Sequence, residues 1–109
     1  MTSETFIDIV NNQIGAEMAQ LGFEQIQNSP LADYFRLEID DNTVIVSFIF
    51  GKNSDGETIR YYKMFVSRYP GIRVGAQKLL MTVEQHKQPF TMSQIMDDFR
   101  SVKAFLLGE

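Results

Sequence analysis

Two long strand-forming segments, Thr43 to Phe50 and Glu57 to Tyr69, are separated only by the polar run Gly51-Lys52-Asn53-Ser54-Asp55-Gly56. β-Branched and aromatic residues suit a pleated surface, and Gly, Asn, Ser and Asp supply turn geometry, so the pair predicts a β-hairpin. In the first segment Val44, Val46, Phe48 and Phe50 alternate with Ile45, Ser47 and Ile49. Apolar residues on both faces place it at the centre of a sheet.

Upstream, Phe35, Leu37 and Ile39 alternate with Tyr34, Arg36, Glu38 and Asp40, and Asp40-Asp41-Asn42 reverses the chain. Three consecutive strands joined by short polar turns are antiparallel, because parallel neighbours need a crossover of about a dozen residues or more. A short further strand is expected around Phe23 to Gln27, ahead of a turn at Asn28-Ser29-Pro30, and Pro70-Gly71 ends the last strand.

Helices flank this sheet. Phe6, Val10, Ile14, Met18 and Leu21 recur at three- and four-residue steps, with Thr5 expected as the cap, Asp8 in the first turn and Gly22 as the stop. The stretch Ile72 to His86 fits either periodicity and is read as a helix, on Ile72, Ala76, Leu79, Leu80 and Val83. Thr91 and Gln94 make a capping box, Phe90 can staple onto Ile95, and Ile95, Phe99, Val102 and Leu106 form an apolar stripe before Gly108. The predicted fold is α+β: an N-terminal helix, an antiparallel three- to four-stranded meander, then one or two C-terminal helices packed on one sheet face.

A chain of 109 residues with 44% hydrophobic and 22% charged residues has the size and balance of one globular domain, expected over residues 1–109. The absence of cysteine removes disulfides, thiolate nucleophiles and thiolate metal sites. With no signal-like start in Met1-Thr2-Ser3-Glu4-Thr5 and no apolar run of spanning length, a cytoplasmic location and no membrane partner are expected. The net charge of −4 is unevenly spread: residues 1–59 carry ten acids and two bases, residues 60–87 six bases and one acid.

No set of residues points to catalysis, a metal or a cofactor. His86 is the only histidine, which rules out a two-histidine zinc site within one chain, and beside Lys87 and Gln88 it reads as a loop residue. Asp40-Asp41-Asn42 lacks the alternating oxygen ligands of a calcium loop. Asp97 and Asp98 point about 100° apart on a helix and favour its N-terminal half. Gly71 and Gly75 could frame a phosphate with Arg73 or Lys78, but no Gly-Lys-Ser/Thr ending follows, and a strand-to-helix turn is the better reading.

The strand Arg60 to Tyr69 interleaves aromatics with cations. Alternation divides it into Arg60, Tyr62, Met64, Val66 and Arg68 on one face and Ile59, Tyr61, Lys63, Phe65 and Tyr69 on the other. With helices on one side, Ile45, Ile49 and part of the Arg60 to Arg68 row are left outward-facing. The candidate interaction surface is Tyr34, Arg36, Ile45, Ile49, Arg60, Tyr62, Met64, Arg68, Arg73 and Lys78. A contiguous apolar patch of this kind is unusual on a monomer, so the expected function is non-enzymatic protein interaction, as an adaptor, chaperone-like or accessory protein, with a protein partner or as a homodimer. Single-stranded nucleic-acid binding through residues 60–69 and the following loop is the alternative, disfavoured by the net negative charge. An enzyme with a carboxylate pocket assembled by folding is a third reading. The element order, small size and acidity broadly resemble the dimeric secretion chaperones that escort effector proteins; the resemblance is of fold, and no residue is carried over from it.

Overall fold

In the computed structural model of the protein, which describes residues 1–29, 32–39, 42–70 and 78–108 and, of residues 27–29, 32–34, 38, 39 and 70, the backbone alone, the two segments flanking Gly51 to Gly56 form the expected hairpin. They are β3 (Asn42–Lys52) and β4 (Ile59–Pro70), paired antiparallel with Val46 opposite Val66 and Phe48 opposite Met64. β2 (Ala32–Ile39) flanks β3, β1 (Glu24–Ser29) flanks β2, and β5 (Lys78–Gln85) flanks β4. Strand order follows sequence order throughout, so the meander has five strands and no crossover.

The hairpin loop is held by Asp55, whose carboxylate accepts from the Glu57 and Thr58 amides at 2.9 Å and from the Thr58 hydroxyl at 2.7 Å. Gly56 takes a left-handed φ of 73°, which glycine adopts without strain. The same loop anchors the N-terminus: Ser3 N–H donates to the Glu57 carbonyl at 2.7 Å, and Ile59 N–H to the Met1 carbonyl at 3.0 Å.

That anchoring moves the helix start. Thr2, extended and fixed by the hairpin, is the cap in place of the expected Thr5, and its hydroxyl accepts from Thr5 N–H at 3.1 Å. One helical run follows, as α1 (Ser3–Asp8), a π-helical stretch Ile9–Ile14 and α2 (Gly15–Gln20). Four-residue steps drift by about 40° each on an ideal α-helix, roughly 120° from Phe6 to Met18. The wider turns of the π stretch counter this drift, and Phe6, Val10, Ile14 and Met18 are all fully buried. Gly22 closes the run at φ 91°: its N–H donates to Ala19 and that of Phe23 to Met18, both at 3.0 Å, the paired bonds of a Schellman end.

Residues 78–85 are strand, not helix. Val66 pairs with Met81 and Ser67 with Leu79, so Leu80 is an extra residue in a β-bulge. The alternation of Leu79, Met81 and Val83 is that of the strand, and the bulged Leu80, set between Leu79 and Met81, lends the same stretch a helical spacing as well. Asn28 and Ser29 likewise lie within β1 rather than in a turn, and Pro70 within β4. Pro30, Asp40, Asp41 and the segment 71–77 fall outside the described residues.

α3 (Met92–Leu106) begins at Thr91, which accepts from Gln94 N–H at 3.2 Å. Its Ile95, Phe99 and Val102 are fully buried, and Phe90 is buried beside them. Both helical layers cover the same sheet face: Phe6 meets Phe50 and Tyr62 with ring centroids 5.6 Å apart, and Phe99 meets Phe48 at 6.2 Å. Lys103 of α3 reaches Glu17 of α2 at 3.0 Å. The core is therefore the row Tyr62, Met64, Val66 with Val46, Phe48, Phe50 and Phe35, closed by the helices.

Candidate functional site: the outer sheet face

With helices on one side, the other side of the sheet is not covered by any helix among the described residues. Register and alternation assign its residues. Across β3 and β4 the outward pairs are Thr43 with Tyr69, Ile45 with Ser67, Ser47 with Phe65, Ile49 with Lys63 and Gly51 with Tyr61. Each outward β4 aromatic thus stands opposite a smaller β3 residue. Gly51 shows why: a Cβ there would lie 2.2 Å from the Tyr61 ring, so the ring lies down across the glycine. Ser47, opposite Phe65, is buried, and so is Ser67. Large residues set opposite small ones produce a level surface rather than a ridged one.

Tyr61 is also stacked on His86 with centroids 5.2 Å apart, and the Arg60 guanidinium lies 5.6 Å from the Tyr61 ring. Lys63 Nζ lies 5.3 Å from the Phe65 ring centre. At the β1–β2 side Arg36 pairs with Glu24 at 3.4 Å, and on β4 and β5 Lys63 stands opposite Glu84. By register position Arg36 and Lys63 share this face with Glu24, Glu38 and Glu84, so cations and acids are interleaved on it, while the chain as a whole carries −4.

Of the sequence-predicted surface, Arg36, Ile45 and Ile49 come together here, the isoleucines half-buried. Tyr34 lies in β2 opposite Ser47, its side chain outside the described set. Arg60 is exposed at the hairpin end. Tyr62 and Met64 correct that prediction: both are fully buried, because the row they share with Val66 meets the helices. Arg68 and Lys78 are exposed and pair with each other in register, but share the face of Val44 and Val66 at its far end. Arg73 lies outside the described residues. Among the described residues, the cations of the basic segment 60–87 are therefore divided between faces rather than gathered into one patch.

The residues that sequence reasoning passed over are Tyr61, Lys63, Phe65 and Tyr69. A signal for them existed: Lys63 and Ser67 interrupt their row, as Ser47 interrupts Ile45 and Ile49, whereas Tyr62-Met64-Val66 and Val44-Val46-Phe48-Phe50 run unbroken. Antiparallel pairing then joins unbroken to unbroken.

At the edge of the core the buried Tyr62 donates a short O–H hydrogen bond to the half-buried Asp98. Burial, and then the Asp98 carboxylate, push the Tyr62 hydroxyl well above its usual range. This is a structural bond rather than a proton donor poised near neutrality. No group of three His, Cys, Asp or Glu that could hold a metal ion occurs among the described residues, and no helix among them is long and apolar enough to cross a membrane. Compared with protein-family models, with curated proteins and with solved structures, the chain matches none.

Proposed function

We propose that this chain is a non-enzymatic protein-interaction module that docks a second copy of itself through the outer face of its sheet. The observation that carries this reading is the levelled apolar and aromatic face of β3 and β4, with Tyr61, Phe65 and Tyr69 opposite Gly51, Ser47 and Thr43. Charge supports a second copy: the cations Arg36 and Lys63 are interleaved with acids on this face, so two acidic chains meeting through it can set opposite charges against each other and meet less repulsion than their other surfaces would impose. Area sets the strength. Five strands at about 4.8 Å spacing and roughly eight paired residues at about 3.3 Å rise give a face on the order of 600 Å². Two copies would bury about 1,200 Å², the lower edge of specific interfaces, so the dimer should dissociate on dilution.

Sedimentation velocity across a dilution series tests this. A dimer at high concentration that gives way to monomer on dilution is expected, and Phe65→Glu should hold the chain monomeric with its thermal midpoint little changed. A wild-type monomer at every concentration would refute the reading.

The aromatic row favours a second reading, in which bases of a single strand stack on Tyr61, Phe65 and Tyr69 while Lys63 and Arg36 meet phosphates. Titration of a labelled single strand at low salt separates the two. Tight binding that weakens steeply with salt and is lost in Phe65→Ala would support nucleic acid over dimerisation.

A further inference from the structure

On the opposite side of the sheet, at the end away from the Gly51 to Gly56 loop, a cleft of about 310 Å³ opens between the two helical layers and the strands. Its floor is Leu37, Val44, Val66 and Leu80, and its walls are Leu21 at the end of the first helical run and Phe105 near the end of α3. Every residue lining it is apolar. A cleft whose lining side chains are all apolar offers water few partners and favours an apolar occupant. Its size lies at the lower bound of small-molecule sites, roughly 300 Å³, which suits one alkyl chain rather than a ring system or a helix. Phe105 and Leu107 leave 41% and 52% of their surface exposed, an uncovered apolar lip.

Two cations stand beside the cleft in the cross-strand row. The helix-facing row that crosses the sheet at this end runs Leu37, Val44, Arg68 and Lys78. The first two line the cleft, and the last two are exposed cations that make no ion pair among the described residues. An apolar slot bordered by two cations is complementary to an amphiphile with one alkyl chain and an anionic head. We infer that the cleft binds a medium-chain fatty acid, its chain against Val44, Val66 and Leu80 and its carboxylate at Arg68 and Lys78. The site is separate from the outer face and independent of the dimer.

Calorimetric titration of the full chain with the carboxylate series from hexanoate to dodecanoate, below their micellar concentrations, tests this. Affinity should tighten by about fourfold per methylene until the cleft is filled, and then level off. Decanoate should bind more tightly than decanol or decylamine. The Arg68→Ala, Lys78→Ala double variant, altered only at exposed positions, should weaken decanoate by about fivefold and leave decanol unchanged. Methyl resonances of Leu37, Val44 and Leu80 should shift on titration while those of Ile45 and Ile49 stay fixed. The joining segments carry Asp40, Asp41 and Arg73, so the comparison with decylamine reads the net sign of the mouth directly. No saturable binding, a preference for decylamine, or shifts at Ile45 and Ile49 instead would overturn the assignment. So would a fall in molecular mass on adding decanoate, which would give the cleft to a contact between copies.

Discussion

Tyr62 is enclosed by Phe6 and Phe90, with ring centroids 5.6 and 5.4 Å away, and its one polar atom is satisfied by Asp98. Tyr62→Phe keeps the ring and removes the bond, leaving a half-buried carboxylate to water. A loss of about 1 kcal/mol in denaturant unfolding is expected, at the low end for hydrogen bonds to charged groups because Asp98 can be rehydrated. The pH dependence has a definite sign. The folded-state pKa lies above the ordinary tyrosine value of 10.0, so the contribution is full below pH 10 and fades as the pH rises, since the unfolded chain releases the proton first. Wild type should thus lose more stability above pH 10 than Tyr62→Phe. Asp55 has the opposite sign: the Thr58 hydroxyl, then the Glu57 and Thr58 amides, lower its pKa below 3.8. Its contribution is present above that value and disappears in stronger acid. Melting curves of Asp55→Asn should converge on wild type as the pH falls below about 4; a gap that stays constant would mean that the loop does not depend on the charge. The alternation of residues 60–69 separated Tyr62 from Tyr61, but the cations Arg60 and Arg68 at the ends of the Tyr62 row pointed it outward, whereas its unbroken centre Tyr62-Met64-Val66 is what the helices bury.

The secondary-structure elements were legible where one period ran unbroken and obscured where the chain departed from it. Thr91 marked the start of α3 because capping is local chemistry, although only its half of the expected capping box forms: the Gln94 side-chain oxygen has no hydrogen-bond partner among the described residues. The first helix was visible from its four-residue steps, yet those steps also require the π stretch at Ile9–Ile14, which a simple helical reading does not anticipate. β5 was hidden by its bulge, and the cap at Thr2 by a tertiary bond, from Ser3 to Glu57, that no local pattern carries. Gly22 was read correctly as a stop. Its φ of 91° resists any side chain, although the nearest atom to an added Cβ is 3.7 Å away, so space is not the obstacle. Gly22→Ala should therefore cost about 1 kcal/mol through the backbone alone, lowering the thermal midpoint by roughly 4 °C. An unchanged midpoint would mean that the Schellman end does little to fix the first helix.

For the whole molecule, the sequence implied a sheet with helices on one side and an unexplained second face, and the fold has that form. The residues composing that face were only partly foreseen, since its flatness arises from cross-strand pairs such as Gly51 with Tyr61, which depend on register. Its occupant is the central question, and the most direct measurement is the solvent accessibility of the face itself. A soluble paramagnetic probe, applied to the methyl groups of Ile45 and Ile49 at high and at low protein concentration, reads this directly. Burial against a second copy requires that both methyls be shielded at high concentration and become accessible on dilution, while the core methyls of Val46 and Val66 stay shielded throughout. Full accessibility of Ile45 and Ile49 at both concentrations would contradict a sheet-to-sheet dimer.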